Sequence, residues 1–209
     1  MMDERPAVSL LTEEQKGAIR TVASIAAAQA GSVLSQLSGL EVRILDTEVV
    51  GLELADVSGF FGGSDVPAIG VHIPFYGDLE GNALLIFPEE GVDELENIIL
   101  GSGGRYDGDL IESVFMEIGN ILTGTILTVL STLTQKLLIS LPPLLVKDMA
   151  GAILNALLAD LGTASGEAAV VVFHLTDSGS RSLVRSVFIP GIAGMELLLE
   201  AADRLGAVQ

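Results

Sequence analysis

The chain of 209 residues contains no cysteine and no tryptophan, and it has only two histidines. Without cysteine, disulfide bonds, thiol catalysis and cysteine-ligated metal sites are excluded. The histidines, His72 and His174, are far apart in the sequence, and no pattern typical of a zinc enzyme occurs. Because both lie in otherwise apolar predicted strands, we interpret them as packed structural residues. We expect the chain to carry no metal or cofactor of its own.

Basic residues are also scarce. The chain has ten lysines and arginines and 28 acidic residues, so its formal net charge is -18. The only lysines are Lys16, Lys136 and Lys147. Such a surface repels nucleic acid and anionic membranes, so neither is an expected partner. The composition fits a protein from a high-salt cytoplasm and an ordinary acidic soluble protein equally well.

No targeting or membrane segment is predicted. Residues 1–10 are acidic and lack the apolar run of a signal peptide. Two charge-free stretches, Thr21–Leu40 and Ile118–Gln135, have the length of a membrane span, but polar residues and glycine interrupt both at helical spacing. We therefore expect a cytoplasmic protein with no membrane insertion.

The first half of the chain predicts helices and strands in alternation. Thr12 and Gln15 have the spacing of a capping box, which predicts a helix from Thr12 to about Ser38. Leu52–Phe61 is ambiguous between a short helix and a turn. The other predicted elements are strands at Leu40–Leu45, Ala68–Phe75 and Asn82–Phe87, and a helix at Pro88–Leu100 before the break at Gly101–Gly104.

The second half repeats this order. A long helix is predicted over Asp107–Leu137, with Asp109 and Glu112 as its cap, and Pro142-Pro143 should stop the strand before them because proline cannot donate to a sheet. The remaining predicted elements are strands at Lys136–Leu141, Ala169–Leu175 and Val184–Phe188, and helices at Asp148–Leu161 and from Pro190 to about Leu205.

The two halves align as an internal repeat. Ile69–Ile73 matches Val171–Leu175 at an offset of 102 residues, and Leu34–Leu37 matches Leu130–Leu133 at an offset of 96. We predict a single domain over residues 1–209, built from a duplicated α-β-α-β-β-α unit whose halves span 11–101 and 107–206. The fold class is mixed α/β (α+β), with one continuous sheet and the two long helices packed on one face, related by a pseudo-twofold axis.

The long helix of the second half carries two stripes. Ser113, Glu117 and Asn120 recur at steps of four and three and form a polar line opposite the apolar one. From residue types alone, we interpret this line as the solvent-exposed face of an amphipathic helix. The apolar stripe comprises Ile111, Phe115, Ile118, Leu122, Ile126, Val129, Leu133 and Leu137.

The spacing of the polar residues resembles a known signature. Ser113, Glu117, Asn120 and Pro143, in the pattern S-x3-E-x2-N-x22-P, match the motif of the CheC/CheX/FliY phosphatases of chemotaxis. The flanking string from Glu117 to Ile121 (EIGNI) is also similar to that family. The resemblance implies a CheC-like fold and an enzyme that hydrolyses the aspartyl phosphate of a CheY-type response regulator.

The resemblance also assigns roles. Asn120 would position the attacking water, Glu117 would anchor the regulator, and Ser113 and Pro143 would be supporting residues of the motif. Mg²⁺ would be supplied by the regulator, and CheD is a possible further partner. The first-half equivalents at the 96-residue offset, Gly17, Thr21, Ser24 and Thr47, do not keep the motif, so one working site is expected.

Two other functions stay open from the sequence. The same fold serves as a non-catalytic scaffold in FliM-like proteins of the flagellar switch, and CheC proteins also act as adaptors that bind CheD. A third reading is an acidic α/β binding domain of undefined role. Glu117 and Asn120 favour the enzyme, because a pure scaffold does not need them.

Overall fold

A computed structural model describes residues 11–53, 65–101, 106–160, 167–190 and 192–206, which form five helices and seven strands. The helices are α1 (Glu13–Ser38), α2 (Glu89–Ile99), α3 (Gly108–Thr134), α4 (Ala150–Asp160) and α5 (Ile192–Gly206). The strands are β1 (Arg43–Glu53), β2 (Pro67–Gly77), β3 (Gly81–Pro88), β4 (Leu138–Ser140), β5 (Leu144–Met149), β6 (Glu167–Thr176) and β7 (Ser182–Pro190).

All seven strands join one antiparallel sheet in the order β1-β6-β7-β3-β2-β4, and β5 continues the edge by also pairing with β2. The first strand of each half therefore pairs with the hairpin of the other half, and the two hairpins meet at β3 and β7. Neither half completes its own part of the sheet. This exchange confirms the predicted mixed α/β fold with one continuous sheet.

The register at the centre of the sheet is that of a twofold arrangement. Leu84 pairs with Val187 and Leu85 pairs with Ser186, so the 102-residue offset (84 to 186, 85 to 187) exchanges one pair for the other. An axis perpendicular to the sheet between these pairs relates the two hairpins.

The long helices end alike, at the 96-residue offset. Ser38 Oγ donates to the carbonyl of Leu34, and Thr134 Oγ1 donates to the carbonyl of Leu130, both at 2.7 Å. The next residue of each helix adopts the left-handed conformation that closes a helix, Gly39 in α1 and Gln135 in α3. The same local hydrogen bond and the same backbone turn therefore terminate both copies.

The helices cover the two faces of the sheet unequally. α1 and α3, with 26 and 27 residues, are the longest described helices, and both contribute to one large core together with α2 and α5. That core includes the alternate β2 residues Ile69, Val71, Ile73 and Phe75, which share one face of the strand. α4 packs on the opposite face against a smaller cluster. The prediction that both long helices lie on one face is confirmed.

Several predicted boundaries were wrong. The first strand runs over Arg43–Glu53 and not Leu40–Leu45. The predicted element Leu52–Phe61 overlaps the end of that strand, and its residues from 54 onward lie outside the described part of the chain, as do residues 102–105. The cap of α3 is Asp107, which makes no side-chain cap hydrogen bond, and not Asp109. α3 ends at Thr134, so Leu137 lies beyond it and is 61% exposed.

The edge strand contains the largest departure. Pro142 and Pro143 interrupt the edge without ending it, because β5 resumes the pairing with β2 at Leu144 and continues to Met149. Helix α4 accordingly begins at Ala150 and not at Asp148. The missing N–H groups of the two prolines are tolerated because this segment lies at the edge of the sheet, where pairing is needed on one side only.

Candidate functional site

The polar line predicted on α3 lies along the outer side of the helix. Ser113 and Glu117 are exposed, and Asn120 is half-buried. Between the last two, Ile118 and Gly119 are buried against the sheet. A single turn of α3 thus faces the core on one side and presents a carboxylate and an amide on the other.

The hydrogen bonding distinguishes the three motif residues of α3. Ser113 Oγ donates to the carbonyl of Asp109 at 2.8 Å, so this hydroxyl is used within its own helix. Among the described residues, neither the Glu117 carboxylate nor the Asn120 amide has a hydrogen-bonding or ion-pair partner. A different carboxylate, Glu112, pairs with Lys147 of β5 at 2.9 Å. Glu117 and Asn120 are therefore available to a group from outside the chain.

A groove of about 700 Å³ runs between α1 and α3, and Asn120 lies at one end of it. The threonine hydroxyls on its α3 wall donate back to their own helix, Thr125 to Ile121 and Thr128 to Gly124. With those hydroxyls satisfied, the wall is largely apolar. The lining residues are Ile25, Gln29 and Val33 of α1, and Asn120, Ile121, Gly124, Thr125, Thr128, Val129, Thr132 and Leu133 of α3.

Pro143 lies in the short break between β4 and β5. Ser140 pairs with Phe75 and Leu144 pairs with His72, so three edge residues stand opposite two residues of β2. The break contains one extra residue in the manner of a bulge, and the Leu141 N–H donates to the Pro74 carbonyl at 2.8 Å. The motif proline thus lies in a kink of the sheet edge.

The strand pairing connects this edge to the motif turn of α3. Val71 of β2 packs directly beneath Gly119, and its partner across the ladder is Leu145, two residues beyond Pro143. The Lys147–Glu112 ion pair joins β5 to the same helix. The structure therefore joins the α3 motif residues and the Pro143 edge through β2.

The corresponding positions in the first half differ in chemistry. Thr21 is exposed and its hydroxyl donates to the Gly17 carbonyl at 3.1 Å, while Ser24 is partly buried. Thr47, which the 96-residue offset aligns with Pro143, is buried in β1 and its hydroxyl has no partner among the described residues. This half offers neither a carboxylate nor an amide at these positions.

Both histidines are hydrogen-bonded within the sheet, as the structural interpretation requires. His72 Nε2 lies 2.8 Å from Asn82 Oδ1, and His174 Nε2 lies 2.9 Å from Ser182 Oγ. Burial lowers the pKa of His174, and the nearby positive charge of Arg185 lowers it further, against the opposing effect of acidic neighbours. These effects favour the neutral form of His174, which suits a residue in a packed position.

Within the residues that the structure describes, no group of three or more His, Asp or Glu side chains is placed to hold a metal ion. α3 is long and apolar enough to cross a membrane, but 44% of its most apolar stretch is buried inside the fold. Its apolar face packs in the main core. A core helix of a globular fold can have the same length and apolar composition as a membrane span.

Sequence reasoning missed three parts of this region: the groove, the Lys147–Glu112 ion pair and the close packing of Gly119 on Val71. The groove and the ion pair are formed by residues far apart in the chain, so no local pattern predicts them. The packing of Gly119 has one signal in the sequence, a glycine inside a strongly helical pattern.

Comparison with known proteins places these features in a family. The sequence model of the CheC-like family matches residues 110–145, a range that contains all four motif positions. The chain is 34% identical over 170 residues to the CheY-P phosphatase CheC of Bacillus subtilis, covering 78% of this chain and 79% of that protein. It is 28% identical over 112 residues to the putative CheY-P phosphatase CheC1 of Halobacterium salinarum, covering 50% and 56%.

The fold has solved relatives. Thermotoga maritima FliY superimposes with a TM-score of 0.68 at 21% identity, over 96% of this chain and all of that one. The Helicobacter pylori FliM middle domain gives 0.62 at 15% identity, over 91% and 99%. CheX of Borrelia burgdorferi, solved in complex with CheY, BeF3 and magnesium, gives 0.55 at 12% identity, over 80% and 97%. The identity and coverage shared with Bacillus subtilis CheC show that this chain belongs to the CheC-like family.

Proposed function

We propose that the chain is a cytoplasmic chemotaxis phosphatase that hydrolyses the aspartyl phosphate of a CheY-type response regulator. The observation that carries the proposal is the pair Glu117 and Asn120, which has no partner among the described residues and projects from one turn of a rigid helix. The names of the Bacillus and Halobacterium relatives support this substrate. The complex of the Borrelia relative with CheY supports the kind of partner.

Asn120 is the residue that acts on the reacting atoms. An acyl phosphate is already susceptible to water, so catalysis consists mainly of holding a water molecule in line with the phosphorus atom. The Asn120 amide offers one water both a carbonyl acceptor and an N–H donor. Because α3 packs on the sheet, the backbone of Asn120 is held in place before the regulator arrives, and only its side chain has to be ordered during the reaction.

Glu117 anchors the regulator. Its carboxylate lies one turn before Asn120 and is exposed, so it is available to a cationic side chain of the partner. The Coulombic attraction within such a pair strengthens as docking removes water from around it, against the cost of removing both charges from water. The pair would fix the α3 turn at the phosphorylation site, with Asn120 directed at the phosphoryl group. Mg²⁺ would belong to the regulator.

Phosphate release from a phosphorylated CheY-type regulator tests the proposal. The chain should accelerate release above the regulator's own rate. Asn120→Ala should remove most of the acceleration, on the order of 10²-fold, while the phosphorylated regulator still binds. Glu117→Gln, which keeps the shape of the side chain and removes its charge, should weaken binding and slow turnover.

The internal repeat provides matched controls. Thr21→Ala and Ser24→Ala alter the equivalent turn of α1 and should leave phosphate release unchanged. None of the four substitutions should lower thermal stability strongly, because none lies in the core and polar surface changes in helices usually cost little. Release at the unmutated rate by a folded Asn120→Ala variant would refute the catalytic role.

The alternative is a non-catalytic adaptor or scaffold. The similarity of fold to the FliM middle domain is the observation that favours this alternative. It predicts that the chain binds the regulator, or a partner such as CheD, and that phosphate release stays at the regulator's own rate. Binding measured beside phosphate release therefore separates the two functions.

A further inference from the structure

Gly119, the residue immediately before Asn120, lies against the sheet with no room for a side chain. A Cβ atom built at this position would lie 2.6 Å from Val71 Cγ1 and 3.1 Å from Val71 Cβ. Val71 is fully buried, and its branched side chain has little rotational freedom in a packed strand. The close approach of α3 to β2 at this turn therefore requires glycine.

The first half of the chain provides an internal comparison. At the 96-residue offset the equivalent of Gly119 is Ala23, which is 3% exposed. α1 thus accommodates a buried Cβ at the same step of its helix, and the fold itself does not demand glycine there. Glycine inside a helix is unfavourable by about 1 kcal/mol relative to alanine. The copy that carries Glu117 and Asn120 is the one that accepts this cost.

We propose that Gly119 is a positioning residue for the phosphatase reaction. It allows the turn that bears Glu117 and Asn120 to lie directly on Val71, and so sets the depth of the Asn120 amide relative to the Pro143 edge of the sheet. The inference rests on the proposed function. It adds a residue that touches neither the regulator nor the attacking water and acts through the placement of Asn120.

The geometry gives the size of the effect. Two carbon atoms pack at about 3.5–4.0 Å, so an alanine at this position must move away from Val71 by roughly 1 Å. A misplacement of about 1 Å in a catalytic constellation can lower a rate on the order of 10²-fold. Gly119→Ala should therefore reduce kcat by at least about 10-fold and change KM little, because Glu117 remains able to reach the regulator.

Four variants test the proposal: Gly119→Ala, Val71→Ala, the double variant, and Gly17→Ala as the matched control. Gly17 lies in α1, where an added Cβ meets no atom within 4 Å, so that substitution should leave kcat unchanged. Val71→Ala removes the two methyl groups nearest to the new Cβ. The double variant should recover most of the turnover lost in Gly119→Ala, although it has less core packing than the unmutated chain.

The turnover of the folded protein separates this role from a purely structural one. If Gly119 served stability alone, Gly119→Ala would lower the folded fraction and leave kcat per folded molecule unchanged, so thermal unfolding of each variant is measured beside turnover. A folded Gly119→Ala variant with unchanged kcat, or a double variant as slow as Gly119→Ala, overturns the proposal. Asn120→Ala measured in parallel keeps this separate from the proposed function. If the unmutated chain releases no more phosphate than the regulator alone, the phosphatase itself is refuted.

Discussion

The ends of the two long helices allow a stability prediction with an internal control. Both helices close on a left-handed residue, Gly39 with φ of 73° in α1 and Gln135 with φ of 57° in α3. Glycine adopts this conformation without strain, whereas a residue with a Cβ does so at a cost of about 1–2 kcal/mol. We therefore expect Gln135→Gly to stabilise the protein.

The net gain is smaller than the strain. Glycine adds freedom to the unfolded chain, which costs about 0.4–1 kcal/mol. The expected increase in the free energy of unfolding is thus about 1 kcal/mol, or roughly 2–4 °C in Tm for a chain of this size. Gln135 is exposed, so the substitution removes little packing. Calorimetry and urea unfolding should agree on the change.

The reverse substitution in α1 tests the reasoning. A Cβ at Gly39 would meet no atom within 4 Å, so Gly39→Ala adds backbone strain without a steric clash. It should lower the free energy of unfolding by about the amount that Gln135→Gly raises it. If Gln135→Gly destabilises the protein, or Gly39→Ala has no effect, then a Cβ at these left-handed positions does not lower the free energy of unfolding, and the reasoning is refuted. Both variants should release phosphate at the unmutated rate.

Two further predictions concern stability. Because burial lowers the pKa of His174 in the folded state, the stability that its neutral form contributes is present above the unfolded pKa of about 6.5 and is lost as the pH falls toward the folded pKa. Between pH 7 and 5.5, the free energy of unfolding should therefore fall more steeply for the unmutated chain than for His174→Gln. Arg204 Nη1 donates to the Thr134 carbonyl at 2.7 Å at the end of α3. Arg204→Met should therefore lower the free energy of unfolding by about 0.5–1 kcal/mol, measured as a lower midpoint in urea unfolding.

The sequence predicted most elements because their local signals are strong. The capping box at Thr12 is present with both of its hydrogen bonds, at 3.2 Å and 2.9 Å. The hairpins were predictable because their strands are apolar and separated by short polar turns. The sequence did not predict the exchange of first strands between the halves, since it depends on which edges the hairpins leave unpaired.

The failures have equally local causes. Pro142-Pro143 indicates the end of a strand when the chain is read alone, and only the position at the sheet edge makes β5 possible. Asp109 and Glu112 have the spacing of a cap, yet the helix begins two residues earlier, where Asp107 already has an extended backbone. Glu112 instead pairs with Lys147, a contact that no short-range pattern contains.

The candidate site was predictable as a list of residues and not as an arrangement. The spacing from Ser113 to Pro143 identified the motif, because the family signature fixes positions along the chain. The groove beside Asn120 is formed by helices whose facing residues are about a hundred positions apart. The closeness of Gly119 to Val71 depends on how far α3 settles onto the sheet, and packing of this kind is decided by the whole core.

The contrast between the two long helices leads to a last prediction, on whether the Glu-x-x-Asn spacing is sufficient for a site. Thr21→Glu and Ser24→Asn would restore that spacing in α1. We expect this pair, introduced into an Asn120→Ala background, to leave the chain inactive even when it is folded and binds the regulator.

The reason lies in the surroundings of the new pair. Ala23 stands where α3 has Gly119, so the turn lacks the close contact that the glycine permits. The 96-residue offset aligns Pro143 with Thr47, which lies within the uninterrupted pairing of residues 46 to 53 with β6, and the register shift of β1 between Ile44 and Asp46 contains no proline. Phosphate release is again the measurement. Recovery of more than about a tenth of the unmutated rate would show that spacing on a helix is enough, and that neither the packing of Gly119 nor the Pro143 edge sets the geometry of the reaction.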